Sequence, residues 1–203
     1  MPRKSRRSHP KVTFAVLCAS VSAFALLQSL VVPVLAEIRT DLDTNQVTVT
    51  WVLTAYLLSA SVCTPIVGRA GDTVGKERTL VLTLAGLSLG SLIAASATTV
   101  AVMILGRVVQ GIGGGVLPLS FGIVRDEFPA SKVAGMIGAL ASLAAVGAGL
   151  GLVLAGPIVS NLDYHWLFWL PMLITAAAAL SAALLVPESP VRTPGGSDCC
   201  RRR

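Results

Sequence analysis

Residues 79–121 read TLVLTLAGLSLGSLIAASATTVAVMILGRVVQGIGGGVLPLSF, and a single charge, that of Arg107, falls in the whole stretch. A bilayer core about 30 Å thick is crossed by about 20 consecutive apolar residues in a helix. Thr98-Thr99 divides the stretch into blocks at 79–97 and 100–121, each of that order of length. Neither a buried strand nor a core helix of a water-soluble domain needs runs this long. Joined by so short a turn, the two blocks form a helical hairpin in lipid, where the backbone must satisfy its own amides.

The same pattern continues outward. Apolar blocks lie at 12–35 and 48–67 before the hairpin and at 133–159 and 166–186 after it. The chain therefore reads as an all-α membrane protein of six transmembrane helices. A basic segment (1–11) precedes the bundle (12–186), and Pro187 stops the last helix because it lacks an amide donor. The remainder, 187–203, has no packing pattern and reads as a disordered tail. Composition agrees: 54% of the 203 residues are hydrophobic and 13% charged, against about 25% charged in soluble domains.

Orientation follows from the cations. Fourteen of the sixteen Lys and Arg fall in the segments on the N-terminal side of the bundle or in the tail; Arg39 alone lies on the opposite side, and Arg107 lies within the fourth block. The positive-inside rule then places both termini in the cytoplasm. Attraction to anionic lipid headgroups accounts for the net charge of +6 without a nucleic-acid partner. The apolar stretch after the basic start is too long for a cleaved signal peptide and is followed by further spans. Ser5-Arg6-Arg7 resembles a twin-arginine signal, but His9-Pro10 stands where its apolar part belongs. Cys18 and Cys63 sit inside apolar blocks as small hydrophobes. The adjacent Cys199 and Cys200 suit neither an ordinary disulfide nor a metal knuckle.

The spans are rich in small residues. In the fifth, Gly147, Gly151 and Ala155 form a small-xxx-small series, and Gly138, Ser142 and Val146 lie along a second ridge. Such residues let helix backbones approach closely where lipid offers no hydrophobic force to press them together. Residues 64–68 (TPIVG) and 156–160 (GPIVS) echo one another at the ends of the second and fifth spans, with Asp72 and Asp163 following. An inverted three-plus-three repeat makes those two spans equivalent.

Two segments carry candidate chemistry. Between the second and third spans, residues 68–78 read GRAGDTVGKER, where two glycines permit a sharp turn and Asp72 is set among cations. By itself this is also compatible with an ordinary polar hairpin. In the fourth span, Arg107 is followed by Gln110, Gly111, Gly113 and Gly114. A cation there costs on the order of 3 kcal/mol on insertion scales. It must either reach back to the interface or point into the bundle, with Gln110 one turn on along the same face. A phosphate-binding loop is excluded, since no Lys-Ser/Thr follows the glycines and no strand precedes them.

The spacing G-x-x-x-D-x-x-G-[KR]-x-R at Gly68, Asp72, Gly75, Lys76 and Arg78 resembles the signature loop of the major facilitator superfamily. The run R-x-x-Q-G-x-G-G from Arg107 resembles the family's second motif. Gly147, Gly151, Gly156 and Pro157 resemble the third, found in antiporter branches, with the proline displaced from its usual place. The aromatic run Tyr164 to Trp169 resembles the approach to the sixth span in the multidrug efflux branch, and also suits an interfacial aromatic belt.

The resemblance implies one six-helix half of a transporter, N-terminal in the family's order, exporting small amphipathic or drug-like compounds by alternating access. No cofactor, metal or covalent chemistry is implied. Arg107 and Gln110 would serve the transport cavity, with Gln28 and Ser29 as possible substrate contacts, and residues 68–78 would act as a conformational latch. Many drug:proton members carry a carboxylate in the first span; here Phe24, Gln28 and Ser29 stand instead, and no Asp or Glu falls in any block. Membrane lipids, a small-molecule substrate and a second six-helix half or second copy are the expected partners. The expectation is that the chain, read as truncated, does not transport alone. A non-transporting membrane assembly protein and a homodimeric six-span transporter are the competing readings.

Overall fold

The polar residues between the apolar blocks become helix caps in the structure, a computed structural model that describes residues 10–161 and 165–185. Asn45, extended, accepts a hydrogen bond from the Thr48 amide at 2.8 Å and opens α3 (Gln46–Val74). Thr99 does the same for Val102 at the start of α5 (Val100–Gln110). These side-chain oxygens satisfy amides that a first helical turn leaves without partners.

The first span begins with α1 (Pro10–Leu30), passes through a 3₁₀ turn at Val32–Val34 opened by Pro33, and ends with α2 (Leu35–Asp41). The third is α4 (Lys76–Ala95). The fourth is broken: α5 gives way to a 3₁₀ segment, Gly111–Gly115, before α6 (Val116–Glu127). The last two are α7 (Ala130–Asn161) and α8 (Trp166–Leu185). Among the described residues six helical segments are long and apolar enough to cross a membrane.

Most helices run past their apolar blocks, because helix continues after lipid ends. The largest difference is at residues 68–78. The loop expected there is almost wholly helical: α3 continues through Val74, Gly75 alone links the helices, and α4 starts at Lys76. Within residues 68–78 only Gly75, at φ +121°, adopts a conformation that favours glycine; Gly68 lies inside α3. Arg3 to Arg7, Asp163, Tyr164, Pro187, the tail and Cys199-Cys200 lie outside the described residues.

Helix α1 packs against α7 and α8, α4 against α8 and α5, and α3 against α5 and the 3₁₀ segment. Two buried apolar clusters result. One, towards the start of α1 and the end of α6, includes Leu17, Leu84, Leu87, Val116 and Ile123. The other, towards the opposite end, includes Leu30, Val49, Val52, Met103 and Phe168. Burial within the bundle is uneven. In the most apolar window of each span, 61% of residues are buried in the first, against 22% in the second and 17% in the fifth.

Candidate functional site

Between the two apolar clusters lies a polar node built on α3, α4 and α5. Arg107, Gln110 and Ser91 are fully buried. The Arg107 Nε donates to the Val52 carbonyl at 3.2 Å, and its Nη1 donates to Gln110 Oε1 at 2.7 Å. Gln110 Nε2 in turn donates to Ser91 Oγ at 2.8 Å, and Ser91 donates to the Leu87 carbonyl. The guanidinium stands 4.5 Å from the centre of the buried Tyr56 ring, a cation–π contact that gains strength away from water. Arg107 therefore points into the bundle rather than reaching back to an interface. Its Nη2 is buried with no hydrogen-bond partner among the described residues. A fixed cation is thus held by neutral acceptors and an aromatic face.

Close backbone approach makes the node possible. A Cβ on Gly90 would stand 2.6 Å from the Gln110 nitrogen, and one on Gly106 would stand 2.7 Å from the Ala94 nitrogen. Helices α4 and α5 meet backbone to backbone at these two residues. On the α3 side, Gly111 is filled by Ser59, Gly114 by Thr64 and Gly115 by Val67, while Gly113 faces the Leu87 side chain. Ser59 Oγ also donates to the Val108 carbonyl at 2.6 Å.

A second constellation sits at the end of the bundle where α1 begins. Lys76 Nζ and Asp126 Oδ2 form an ion pair at 2.7 Å, joining the start of α4 to the end of α6. Gly71 lets α3 approach Leu119, and Gly122 lies under the Lys76 stem. Glu77 is buried in the first turn of α4. Asp72 and Arg78 are exposed, and Asp72 makes no side-chain hydrogen bond or ion pair among the described residues.

The remaining expected site residues scatter. Ser29 donates to the Leu26 carbonyl of its own helix and packs against Gly151. Gly147 likewise sits over Ser22 and Ala25, so the small-residue series on α7 forms the contact with α1. Gln28 is half-buried, and its Oε1 has no hydrogen-bond partner among the described residues. Since α1 packs on α6, α7 and α8 and α5 on α3 and α4, Gln28 and Ser29 are not brought to Arg107. Gly138 and Gly156 have no neighbour for a Cβ within 4 Å, and Pro157, inside α7, is exposed. His165, Trp166, Trp169 and Leu173 line a shallow cleft at the start of α8. Among the described residues no group of three or more His, Cys, Asp or Glu is placed to hold a metal ion.

Tyr56, Ser91, Ser59, Gly90, Gly106 and Asp126 were not singled out from the sequence. The series Gly86, Gly90, Ala94 on α4 has the small-xxx-small spacing recognised on α7 and is a signal for one of them, Gly90. Tyr56 and Ser59 carry none, being single polar groups in an apolar block.

A family model described as Major Facilitator Superfamily matches residues 17–198. An MFS-type transporter of Aspergillus terreus is 34% identical over 155 residues, covering 76% of this chain and 28% of the relative. A Multidrug resistance protein B homolog of Mycobacterium tuberculosis is 31% identical over 198 residues, covering 92% and 36%. The crystal structure of a D-xylose-proton symporter superposes with a TM-score of 0.78 at 14% identity, covering 90% of this chain and 49% of that one. The chain spans about a third of the length of the curated relatives it matches.

Proposed function

The chain belongs to the major facilitator superfamily, and from that premise we propose that it is a six-helix transporter unit that expels small amphipathic compounds across the plasma membrane by alternating access. The observation that carries the proposal is the buried Arg107 node. A cation in the membrane interior costs several kcal/mol, and such groups are retained where substrate or ions pass. Efflux as the direction is supported by a relative whose name is that of a multidrug resistance protein.

In this proposal both termini face the cytoplasm, as the distribution of cations favours. The unit works paired with a second six-helix unit, either a further half or a second copy. The low burial of the second and fifth spans supports such a pairing. Lys76 and Asp126 then act as a latch at the cytoplasmic end.

The test is accumulation of ethidium, a small lipophilic cation, in cells expressing the protein. Several-fold lower accumulation than in vector controls is expected. Equal accumulation, with the protein verified in the plasma membrane and both terminal tags protected from external protease, rules out efflux of this class of compound.

A further inference from the structure

The 3₁₀ segment Gly111–Gly115 joins the Arg107 node to the Lys76–Asp126 pair, and nothing in the proposed transport cycle yet uses it. We propose that this segment is a two-state joint, switching between 3₁₀ and α-helical winding and so rotating α6 against α5. The proposal rests on the transporter reading for its purpose, though not for its physics.

Four observations carry it. Runs of 3₁₀ helix longer than three or four residues are uncommon, because their hydrogen bonds are poorer than those of an α-helix; this one has five. Glycine is a weak helix former, so four glycines in five residues remove most of the preference for α winding. At the point where α winding ends, the Val108 carbonyl accepts from the Gly111 amide three residues on and also from Ser59 Oγ of the neighbouring helix at 2.6 Å. That hydroxyl offers the carbonyl a partner in place of the amide four residues on, and so supports the 3₁₀ form. Finally, the two ends of the joint are anchored to different partners. Gln110, immediately before it, is bonded to Arg107 and Ser91, while α6 beyond it carries Asp126 to Lys76.

The geometry of the switch follows from helix parameters. Rise falls from about 2.0 to about 1.5 Å per residue on passing from 3₁₀ to α. Over the segment that shortens the fourth span by about 2.5 Å. The change from three to 3.6 residues per turn rotates α6 by about 100° relative to α5. A rotation of that size carries Asp126 off Lys76. A shift at the Arg107 node and the breaking of the ion pair therefore become one event, through a discrete element that both sites bias.

The experiment uses the full protein in nanodiscs, its native cysteines replaced and spin labels placed at Val102 and Arg125, both exposed and on opposite sides of the joint. Ser59→Ala withdraws the hydroxyl, and Gly113→Ala raises α propensity against the movable end of the Leu87 side chain. Both are expected to shift the interlabel distribution away from the wild type, by about 2–3 Å of axial shortening together with the lateral swing of Arg125 as α6 rotates, whereas Ser59→Thr, which keeps the hydroxyl, retains the wild-type distribution. Unchanged distances in both alanine variants, each monodisperse, overturn the joint. Ethidium efflux measured on the same proteins separates the two claims. Efflux with fixed distances sinks the joint alone; shifted distances without efflux in the wild type uphold the joint and sink the transport reading.

Discussion

At the scale of single residues, the Arg107 guanidinium poses the sharpest energetic question. It is fully buried, yet its described partners are a backbone carbonyl, an amide oxygen and an aromatic ring. Replacing a buried ionic group together with its polar partner by apolar side chains of similar volume is often neutral or stabilising, by about 1–4 kcal/mol, whereas removing one member alone orphans the other. If the node served packing, losing it would cost stability. If it serves transport, the chain tolerates an expensive group for its function. We therefore expect the double variant Arg107→Met, Gln110→Met, which leaves no orphaned amide, to melt at or above the wild-type temperature while ethidium efflux falls at least tenfold. Arg107→Lys keeps the charge but not the planar fork or the stacking on Tyr56, and is expected to recover only part of the efflux. Scanning fluorimetry beside efflux decides it: a large loss of melting temperature with the double variant assigns the node a structural role.

Elements bring a different lesson, because chemically identical glycines have opposite roles. A Cβ on Gly90 meets the backbone of Gln110, which cannot move without parting α4 from α5. Gly90→Ala is expected to destabilise by about 1–3 kcal/mol through overpacking and to loosen the Gln110–Ser91 bond. Gly138 has open space around it, so Gly138→Ala is expected to be neutral or to stabilise the unit by up to about 1 kcal/mol through helix propensity. Denaturant titration in detergent compares the two, and equal effects would contradict the packing described here. Sequence alone did not distinguish them: it marked the ridge of Gly138 and passed over Gly90, since spacing identifies a stripe of small residues but not what lies opposite. The existence of six spans was legible, because the demands of lipid are written in hydropathy. Their ends were not, since a helix that leaves the bilayer can continue on polar residues, as α3 does from Arg69 to Val74. The inward aim of Arg107 was one of two readings that sequence left open. Tyr56, beneath it, gave no sign, an aromatic in an apolar block being equally at home facing lipid.

On the scale of the whole molecule, the faces of α3 and α7 must meet lipid, water or protein, and these alternatives differ in what a reagent reaches. Ile66 on α3 and Val153 on α7 are 60% and 70% exposed, as is Leu82 on α4 at 68%. In the proposed pairing, α3 and α7 turn towards a second six-helix unit and the cavity between the two, whereas α4 keeps to lipid. Exposure within one unit therefore does not predict accessibility in the assembly. Cysteines at Ile66 and Val153 are expected to react with a water-soluble maleimide only in the conformation that opens on the reagent's side, and otherwise to be protected. A cysteine at Leu82 is expected to react with a lipid-soluble reagent throughout. Native mass measured on the same preparation shows whether a second copy supplies the pairing. If lipid-soluble labelling is equal at all three positions in a particle of one unit's mass, the two faces lie against lipid, and the proposed pairing is wrong.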